Sequence, residues 1–290
     1  MNDREYLYLK RKILSLTSID IGNYKSHQMR RRLDMFVSRT QASNIVSYCR
    51  MLERDEDLRK RLQNFLTINV SEFFRDFSQF EQLRTYILPA LLRNKPSLNI
   101  WSAGCSYGAE PYSIAIVLEE LSPHRRHRIL ATDIDEGSLI RARAGGPYNS
   151  TDTKNVSNRL LRKYFTGSHG EYRIVDSLKQ RVAFKQHNLL CDEFESGFDL
   201  VVCRNVTIYF TNEAKDELNR RFYRSLKDGG VLFIGGTEIM LGTNNMGFRK
   251  IGTSFYQKSP TSTSAPFLGR TPVLSGATRE FNCPASLKAG

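Results

Sequence analysis

The chain has 290 residues, of which 40% are hydrophobic and 25% are charged. These proportions are those of a globular protein, and the length allows one large or two ordinary domains with a substantial core. They exclude a disulfide-stabilised miniprotein and a wholly disordered chain. The 43 Lys and Arg residues exceed the 30 Asp and Glu residues, and the net charge of +13 predicts an anionic partner: nucleic acid, a lipid headgroup or an acidic protein.

The cysteines and the amino terminus indicate the compartment. The five cysteines are far apart, and none forms a CxxC pair. This pattern argues against a disulfide framework or a zinc site and favours a reducing compartment. The amino terminus lacks an apolar signal core, and no run approaches the roughly 18 apolar residues of a spanning helix. We therefore expect a cytoplasmic protein with no bound metal and no membrane insertion.

Residues 1–92 are predicted to be helical. Apolar residues recur there with a period near 3.6, as in Leu58, Leu62 and Leu66, and no strand alternation interrupts them. We divide this part into a basic helical domain, residues 1–75, and a linker helix, residues 76–92.

From residue 93 the pattern changes to short apolar runs that alternate with helical stretches. LNIWSAG and RILATDID are buried strands, each followed by a helix, and FDLVVCRNV and GGVLFIGG are two more. Such a βα alternation is typical of a parallel sheet covered by helices, so we predict an α/β, doubly wound domain over residues 93–259. The last strand pair would be FRKIG and SFYQK. The helix before GGVLFIGG is expected to start near Thr211 and to end at Gly229.

Two segments depart from this alternation. EYRIV (171–175) and RVAFK (181–185) suggest a small antiparallel insertion at about 167–187. Residues 260–290 are rich in Ser, Thr, Pro and Gly, and are expected to form a mobile tail.

The turn after the first strand, AGCSYGAEP, carries two glycines, Gly104 and Gly108, where a dinucleotide-binding turn has three. Asp133 follows the next strand, where a ribose diol would need an acceptor. A nucleoside without a pyrophosphate fits this arrangement better than a dinucleotide. Without further context, the glycine pair is equally consistent with a simple tight turn, and Glu110 with an acidic residue favoured in a first helical turn.

The string NVSEFFRD (69–76) lies where the helices meet the sheet domain. Ser71 could cap a helix, and Phe73, Phe74 and Phe77 are expected in the core. Arg75 stands beside these aromatics, and a rigidly held guanidinium suits bidentate recognition of a carboxylate.

Polar residues also follow two later strands. Arg204, Asn205 and Tyr209 come after DLVVC, and Asn188 in HNLL follows what we take as the third parallel strand. Because ligands of open α/β sheets bind outside the carboxyl ends of the strands, these residues are candidates for a site. The neighbouring His187 is interpreted as an edge residue of this pocket.

In this order and spacing, NVSEFFRD, WSAGCSYGAEPYS, ATDID, HNLL and CRNVTIYF resemble the CheR-type chemotaxis receptor methyltransferases, over about residues 5–258. The resemblance implies an all-α amino-terminal domain before a Rossmann-like S-adenosylmethionine-dependent methyltransferase sheet with a small antiparallel β insertion. It implies methylation of chemoreceptor glutamates, with S-adenosylhomocysteine as the product. The cofactor-binding residues it implies are Asn69, Ser71, Arg75, Gly104, Glu110, Asp133, Asn188, Leu189, Arg204 and Asn205.

The resemblance also places Arg75 and Tyr209 nearest the transferable methyl, as the catalytic residues. Family members commonly have two acidic residues after the second glycine, whereas this chain has Ala109 before Glu110, so cofactor binding is expected to survive in weakened form. Glutamate, with an ordinary pKa near 4.3, is already ionised at neutral pH and needs no general base.

Residues 1–65 carry 14 basic and 8 acidic side chains. A helix over residues 24–39 would place its basic side chains beside an apolar stripe, and we interpret them as a docking surface for the glutamate-rich cytoplasmic helices of chemoreceptors. A solvated helix face is the simpler alternative. The predicted docking residues are Lys25, Arg30, Arg31, Arg32 and Arg39.

Two other functions stay open from the sequence. An S-adenosylmethionine-dependent enzyme acting on RNA or another protein would suit the positive charge, but no basic stretch is interleaved with aromatics as in single-strand binders, so we expect no nucleic-acid partner. A non-catalytic S-adenosylmethionine sensor would not need to keep Arg75 and Tyr209. We expect a monomer.

Overall fold

The computed structural model describes residues 1–67, 69–93, 95–168, 170–240 and 246–259. The predicted tail at 260–290 lies outside these residues. The first part of the chain is helical, as predicted, and packs into a small domain. Its helices are α1 (Asp3–Thr17), α2 (Ser26–Val37), α3 (Ile45–Arg54) and α4 (Glu56–Thr67).

Local sequence explains where these helices start and how they pack. Asn2 caps α1 by accepting the Glu5 N–H, and the Glu5 side chain accepts the Asn2 N–H in return. Asn44 caps α3 in the same way by accepting the Ser47 N–H. Leu9, Ile13 and other apolar residues at helical spacing form one buried core for the four helices.

The linker is a helix with a π turn in its middle. Its parts are α5 (Phe77–Gln82), the π turn Leu83–Ile87 and α6 (Leu88–Leu92). Phe80 and Leu83 are buried against the sheet domain, whereas Phe77 is 54% exposed. The expectation that Phe77 belongs to the core is therefore wrong, because this residue starts the helix on its solvent side.

The sheet domain confirms the predicted doubly wound α/β architecture. The strands of the main sheet run in the order β5-β2-β1-β6-β7-β9-β8, with β9 and β8 antiparallel to their neighbours and the others parallel. These strands are β1 (Asn99–Ala103), β2 (Arg128–Asp133), β5 (Val182–Gln186), β6 (Phe198–Cys203), β7 (Leu226–Ile234), β8 (Phe248–Lys250) and β9 (Phe255–Lys258). The accompanying helices are α7 (Ala109–Leu121), α8 (Glu136–Ala144), α9 (Asn158–Tyr164), α10 (Asp176–Lys179) and α11 (Asn212–Ser225).

Both faces of the sheet are buried, so its central strands are apolar on both sides. Ile100 and Trp101 are consecutive in β1 and belong to the core clusters of opposite faces. Trp101 donates its indole N–H to Thr132 Oγ1 at 2.9 Å and packs among Phe194, Phe198 and other rings. Such strands can be recognised in the sequence as members of a parallel sheet, because their hydrophobic runs are nearly continuous.

Two details of the sequence-based prediction are wrong. The small antiparallel sheet pairs β3 (Phe165–Ser168) with β4 (Glu171–Ile174), whereas RVAFK forms β5 and pairs in parallel with β2. A short strand with alternating burial cannot be assigned to a sheet from its own sequence. The helix α11 begins after Thr211, as predicted, but ends at Ser225, and Gly229 lies inside β7.

Cys49, Cys105 and Cys203 are buried free thiols. Among the described residues, no helix is long and apolar enough to cross a membrane.

We predict that Asp199, at the start of β6, is a major stabilising residue. Its buried carboxylate accepts the Asn99 N–H at 2.8 Å and ion-pairs with Lys95 and Lys227 at 2.6 and 3.1 Å. Burial alone would raise its pKa, but these partners hold the pKa below its ordinary value. Asp199→Ala leaves the Asn99 N–H unpaired, so the free energy of unfolding in urea should fall by about 2–3 kcal/mol.

Glu195→Ala is the control for this experiment. Glu195 is exposed and pairs with Arg128 at the surface, so its loss should change the free energy of unfolding by less than about 1 kcal/mol. Equal effects of the two substitutions would contradict the role of Asp199.

Candidate functional site

A cavity of about 950 Å³, counting the space open to solvent at its mouth, lies beyond the carboxyl ends of β1, β2, β5 and β6. Ligands of open α/β sheets bind at this edge. All residues predicted to bind the cofactor or to lie near the methyl group line this cavity: Asn69, Ser71, Arg75, Gly104, Glu110, Asp133, Asn188, Leu189, Arg204, Asn205 and Tyr209. The fold therefore brings the separate motifs together, while the role of each residue stays a prediction.

The two glycines of the first turn are required by close packing. Gly104 has φ +83°, and a Cβ there would stand 2.5 Å from Val206 Cγ2. Gly108 has φ +91°, and a Cβ there would stand 2.9 Å from the Ala142 Cβ. Gly104 thus admits the loop after β6 to the cavity, and Gly108 lets α7 pack on α8.

Ala109, where the family commonly has an acidic residue, is buried in the core and does not line the cavity. The departure from the family pattern therefore leaves the cavity wall complete.

Asp133 is the acidic residue at the end of β2. Its carboxylate accepts the backbone N–H groups of Ser106 at 2.7 Å and of Asp135 at 3.0 Å. Burial raises its pKa to about 6, although these two hydrogen bonds act in the opposite direction. A carboxylate oxygen can accept two hydrogen bonds, so Asp133 has capacity left for a hydroxyl of a ligand.

Asp135 joins the helical domain to this strand end. It is 6% exposed and accepts the Thr67 hydroxyl at 3.1 Å and the Asn69 side-chain amide. The Asn69 amide oxygen in turn accepts the Ser106 hydroxyl at 3.3 Å. Asn69 is thus fixed at the cavity wall by partners from two strand-end loops.

Glu110 and Arg204 form a buried ion pair at the floor of the cavity. Arg204 Nη1 lies 3.3 Å from Glu110 Oε2, and the Ser102 hydroxyl donates to Glu110 Oε1 at 2.8 Å. Burial raises the pKa of Glu110, and Arg204 acts against that rise. The two residues predicted to bind the cofactor are therefore also partners of each other.

Arg204 contacts the segment that carries Arg75 as well. Its Nη2 donates to the Arg75 carbonyl at 2.8 Å and to Asp76 Oδ2 at 2.9 Å. The guanidinium lies over the Phe233 ring, 4.7 Å from its centroid, and its side chain is 1% exposed. The position of Arg75 thus depends on a cation that follows β6.

Arg75 projects from a strained turn between two core aromatics and α5. Phe73 packs edge to face against Tyr148, and Phe74, at φ +51°, packs against Phe80. Arg75 donates to the Val70 carbonyl at 3.0 Å, and it forms no ion pair with any residue in the described ranges. Its guanidinium retains donors for an anionic ligand.

Ser71 does not cap a helix, contrary to one of its two predicted interpretations; α5 begins after Asp76. Instead, the Ser71 N–H donates to the Tyr107 hydroxyl at 3.1 Å, which lies 3.0 Å from Asp152 Oδ1. Arg141 covers the Tyr107 ring and ion-pairs with Asp152 at 2.7 Å. This contact network holds the NVSEFFRD segment against the glycine turn.

Tyr209 ends a single 3-10 turn, Thr207–Tyr209, after β6. Its carbonyl accepts the Lys25 N–H at 2.9 Å, and Tyr24 forms an antiparallel bridge with Phe210. The Tyr24 ring meets the Phe210 ring edge to face at 5.0 Å and lines the cavity. The helical domain is therefore in direct contact with the loop that carries Tyr209.

The predicted docking residues divide into two groups. Lys25, Arg31 and Arg39 are exposed. Arg30 pairs with Asp3 at 2.6 Å, and Arg32 donates to the Phe65 carbonyl and lies over the Phe65 ring. Arg32 lies beside the apolar stripe, as predicted, but its guanidinium bridges α2 and α4 and is only partly exposed.

His187 is held as a structural residue at the cavity edge. One ring nitrogen, Nε2, lies 3.1 Å from the Glu193 carbonyl, and the ring meets Trp101 edge to face. Burial lowers its pKa, so the imidazole is neutral at pH 7.

Sequence reasoning missed several residues that shape the site: Tyr24, Asp76, Ser106, Tyr107 and Glu238. Three of them, Asp76, Ser106 and Tyr107, stand within the quoted motifs. Glu238 follows the glycine pair after β7. The positions of these four residues along the chain could therefore have marked them as candidates for the site. Tyr24 had no such signal, because it reaches the cavity through the contact between the domains.

The cavity fits the S-adenosylmethionine that the resemblance implies. Asp133 and Glu110 supply anionic acceptors suited to hydroxyl and ammonium groups, while Leu189 and Val206 supply apolar surface for a purine. The lining thus combines hydrogen-bond acceptors with apolar side chains, as a nucleoside carrying a positive charge requires.

Comparisons with known proteins identify the family of the chain. The family profile "CheR methyltransferase, SAM binding domain" matches residues 69–256, and "CheR methyltransferase, all-alpha domain" matches residues 4–67. A chemotaxis protein methyltransferase of Listeria monocytogenes is 37% identical over 258 residues, covering 89% of this chain and 98% of that protein. Chemotaxis protein methyltransferase 2 of Vibrio cholerae is 35% identical over 249 residues, covering 82% and 84%.

Among solved structures, PKMT2 from Rickettsia typhi in complex with AdoHcy has a TM-score of 0.32 and 16% identity, covering 48% of this chain and 21% of that chain. That likeness is too low to carry weight beside the family matches. Both domains, the ordered motifs and the cavity they form lead to one assignment: the chain belongs to the CheR family of S-adenosylmethionine-dependent methyltransferases.

Proposed function

We propose that this chain is a protein-glutamate O-methyltransferase that esterifies glutamate side chains on the cytoplasmic helices of chemoreceptors. The curated relatives named chemotaxis protein methyltransferase support this acceptor. The observation that carries the proposal is Arg75, a guanidinium on the cavity wall with no ion pair to a described residue. A carboxylate is the partner that a guanidinium group binds best, because the two can form a pair of parallel hydrogen bonds.

The cavity residues suit an acceptor that is already ionised. Asp133 and Glu110 are hydrogen-bonded to groups of the protein, and His187 is bound to a backbone carbonyl. A glutamate carboxylate requires none of them as a general base, because its ordinary pKa is near 4.3. The residues are thus free to serve binding and alignment.

S-adenosylmethionine, when bound, supplies an electrophilic methyl whose carbon bonds to the carboxylate oxygen while the carbon–sulfur electron pair leaves to sulfur, giving S-adenosylhomocysteine. We assign to Arg75 the orientation of the carboxylate and to Tyr209 its placement beside the methyl. Alignment of this kind contributes up to about 7–11 kcal/mol in well-oriented reactions. Phe210 and Leu189 are buried apolar residues of the cavity wall, and a water-poor environment favours a reaction that neutralises charge.

We further propose that α2 docks the receptor. Lys25, Arg31 and Arg39 are exposed on or beside this helix, and the Lys25 N–H bonds the Tyr209 carbonyl. A glutamate-rich helix held there would approach the cavity from the side of Tyr209. A monomer in the cytoplasm is sufficient for this reaction, because the cavity is formed by one chain.

Methyl transfer to receptor membranes tests the acceptor. Labelled S-adenosylmethionine should place label on receptors, and mild alkali should release it as methanol, because carboxyl methyl esters hydrolyse whereas methylated nitrogen does not. Arg75→Ala should lower kcat about 100-fold through loss of alignment. Arg84→Ala, which removes an exposed guanidinium paired with Glu81, should leave kcat unchanged. Alkali-stable label would refute the glutamate acceptor.

Salt and charge substitutions test the docking surface. The double substitution Arg31→Ala with Arg39→Ala should raise the KM for receptor about threefold to tenfold and weaken its dependence on salt. Arg162→Ala with Arg224→Ala removes the same charge from exposed sites elsewhere. If that control raised KM equally, net charge rather than α2 would explain the effect.

The pKa of Asp133 predicts how cofactor affinity depends on pH. Hydroxyl donors bind the ionised carboxylate better, and this group gains its proton as the pH falls through about 6. S-adenosylmethionine affinity, measured by calorimetry, should therefore be constant above pH 7 and fall by up to about tenfold per unit below pH 6.

Asp133→Asn isolates this effect from Glu110, whose pKa is also raised. The variant should bind more weakly and lose most of the pH dependence between 5 and 7. An unchanged slope in Asp133→Asn would assign the dependence to another group.

A further inference from the structure

We propose that Glu238 is a positioning residue for cofactor binding: its carboxylate holds the loop Asn205–Tyr209 in the shape that lines the cavity. Glu238 follows β7 in the string GGTEIM and is 8% exposed. It does not itself line the cavity, so it acts through other residues.

The carboxylate accepts four hydrogen bonds from two neighbouring loops. Oε2 accepts the Asn205 N–H at 2.9 Å and the Gly235 N–H at 2.7 Å. Oε1 accepts the Thr207 N–H at 2.9 Å and the Thr207 hydroxyl at 2.7 Å. One side chain thus joins the loop after β6 to the loop after β7, at the edge where the ligand cavity opens.

The loop after β6 needs this support. Asn205 has φ +58°, a left-handed conformation that asparagine adopts more readily than other residues with a side chain, but still less readily than glycine. This conformation is held because its N–H and that of Thr207 point at the same carboxylate. Without Glu238, these two N–H groups would have no acceptor in the folded loop.

Gly235 leaves no room for a side chain between its backbone and the Glu238 carboxylate. A Cβ on Gly235 would stand 2.6 Å from Glu238 Oε2 and 3.0 Å from the Asn205 nitrogen. The pair of Gly235 and Glu238 therefore acts as one unit, in which the glycine admits the loop and the carboxylate binds it.

Three residues of this loop form part of the cavity wall. Asn205 and Tyr209 line the cavity, and Val206 fills the space above Gly104. A shift of the loop would move all three relative to the glycine turn. Cofactor binding should therefore depend on Glu238 more strongly than on other buried carboxylates of equal importance for stability.

The test is calorimetric binding of S-adenosylmethionine to the full chain, well below the melting temperature of every variant. Glu238→Gln keeps the size of the side chain but turns an amide nitrogen towards N–H donors. The dissociation constant should rise tenfold or more. Thr207→Val removes only the hydroxyl donor, so the rise should be about threefold.

The double variant Glu238→Gln with Thr207→Val should lose less affinity than the product of the two single losses, because both substitutions weaken the same contact. The matched control is Asp199→Asn, at the opposite end of β6, which should lower the melting temperature but keep the dissociation constant within twofold. Cofactor binding is independent of the acceptor, so these outcomes do not depend on the proposed glutamate specificity.

Three results would overturn the proposal. One is a dissociation constant for Glu238→Gln within twofold of the unsubstituted chain. Another is an equal loss of affinity in Asp199→Asn at the same folded fraction. The third is a double variant whose loss equals the product of the two single losses. If Glu238→Gln does not fold, an unchanged affinity of Thr207→Val for S-adenosylmethionine would also overturn the proposal.

Discussion

The buried guanidinium of Arg204 is the interaction on which the site depends. It pairs with Glu110 at the start of α7 and with Asp76 at the start of α5, and it donates to the Arg75 carbonyl. A buried cation is tolerated only where its charge is compensated, and here the compensation comes from two separate segments. Arg204 contacts both carboxylates at once, so the glycine turn and the Arg75 segment are held in one relative geometry.

The helical domain completes the cavity rather than merely preceding it. Tyr24 forms part of the wall, Asn69 and Thr67 bond to Asp135, and the Lys25 N–H bonds to the Tyr209 carbonyl. The proposed acceptor on α2 would therefore lie next to Lys25, which fixes the loop that carries Tyr209. This proximity gives a physical reason for a basic domain at the entrance of an enzyme whose proposed acceptor is acidic.

The sheet domain and the residues that line the cavity could be predicted from the sequence, because both rest on local signals. Buried strands such as β6 are continuous apolar runs, and polar residues at their carboxyl ends must meet at one edge. The sequence-based predictions failed where the position of a residue depends on what it packs against in the folded protein. RVAFK could join either sheet, and Phe77 faced solvent at a helix start.

Charge is separated in this fold, and the separation suits the chemistry. The chain is strongly basic overall, yet the carboxylates of Glu110, Asp133, Asp135 and Glu238 are buried at or beside the cavity. A cation that enters this cavity meets acidic groups, whereas the proposed glutamate-rich acceptor would meet a basic exterior. Transfer of the methyl removes the positive charge from the donor and the negative charge from the acceptor. The electrostatic attraction between the acidic cavity and the donor, and between the basic exterior and the proposed acceptor, is therefore expected to be weaker after transfer than before it.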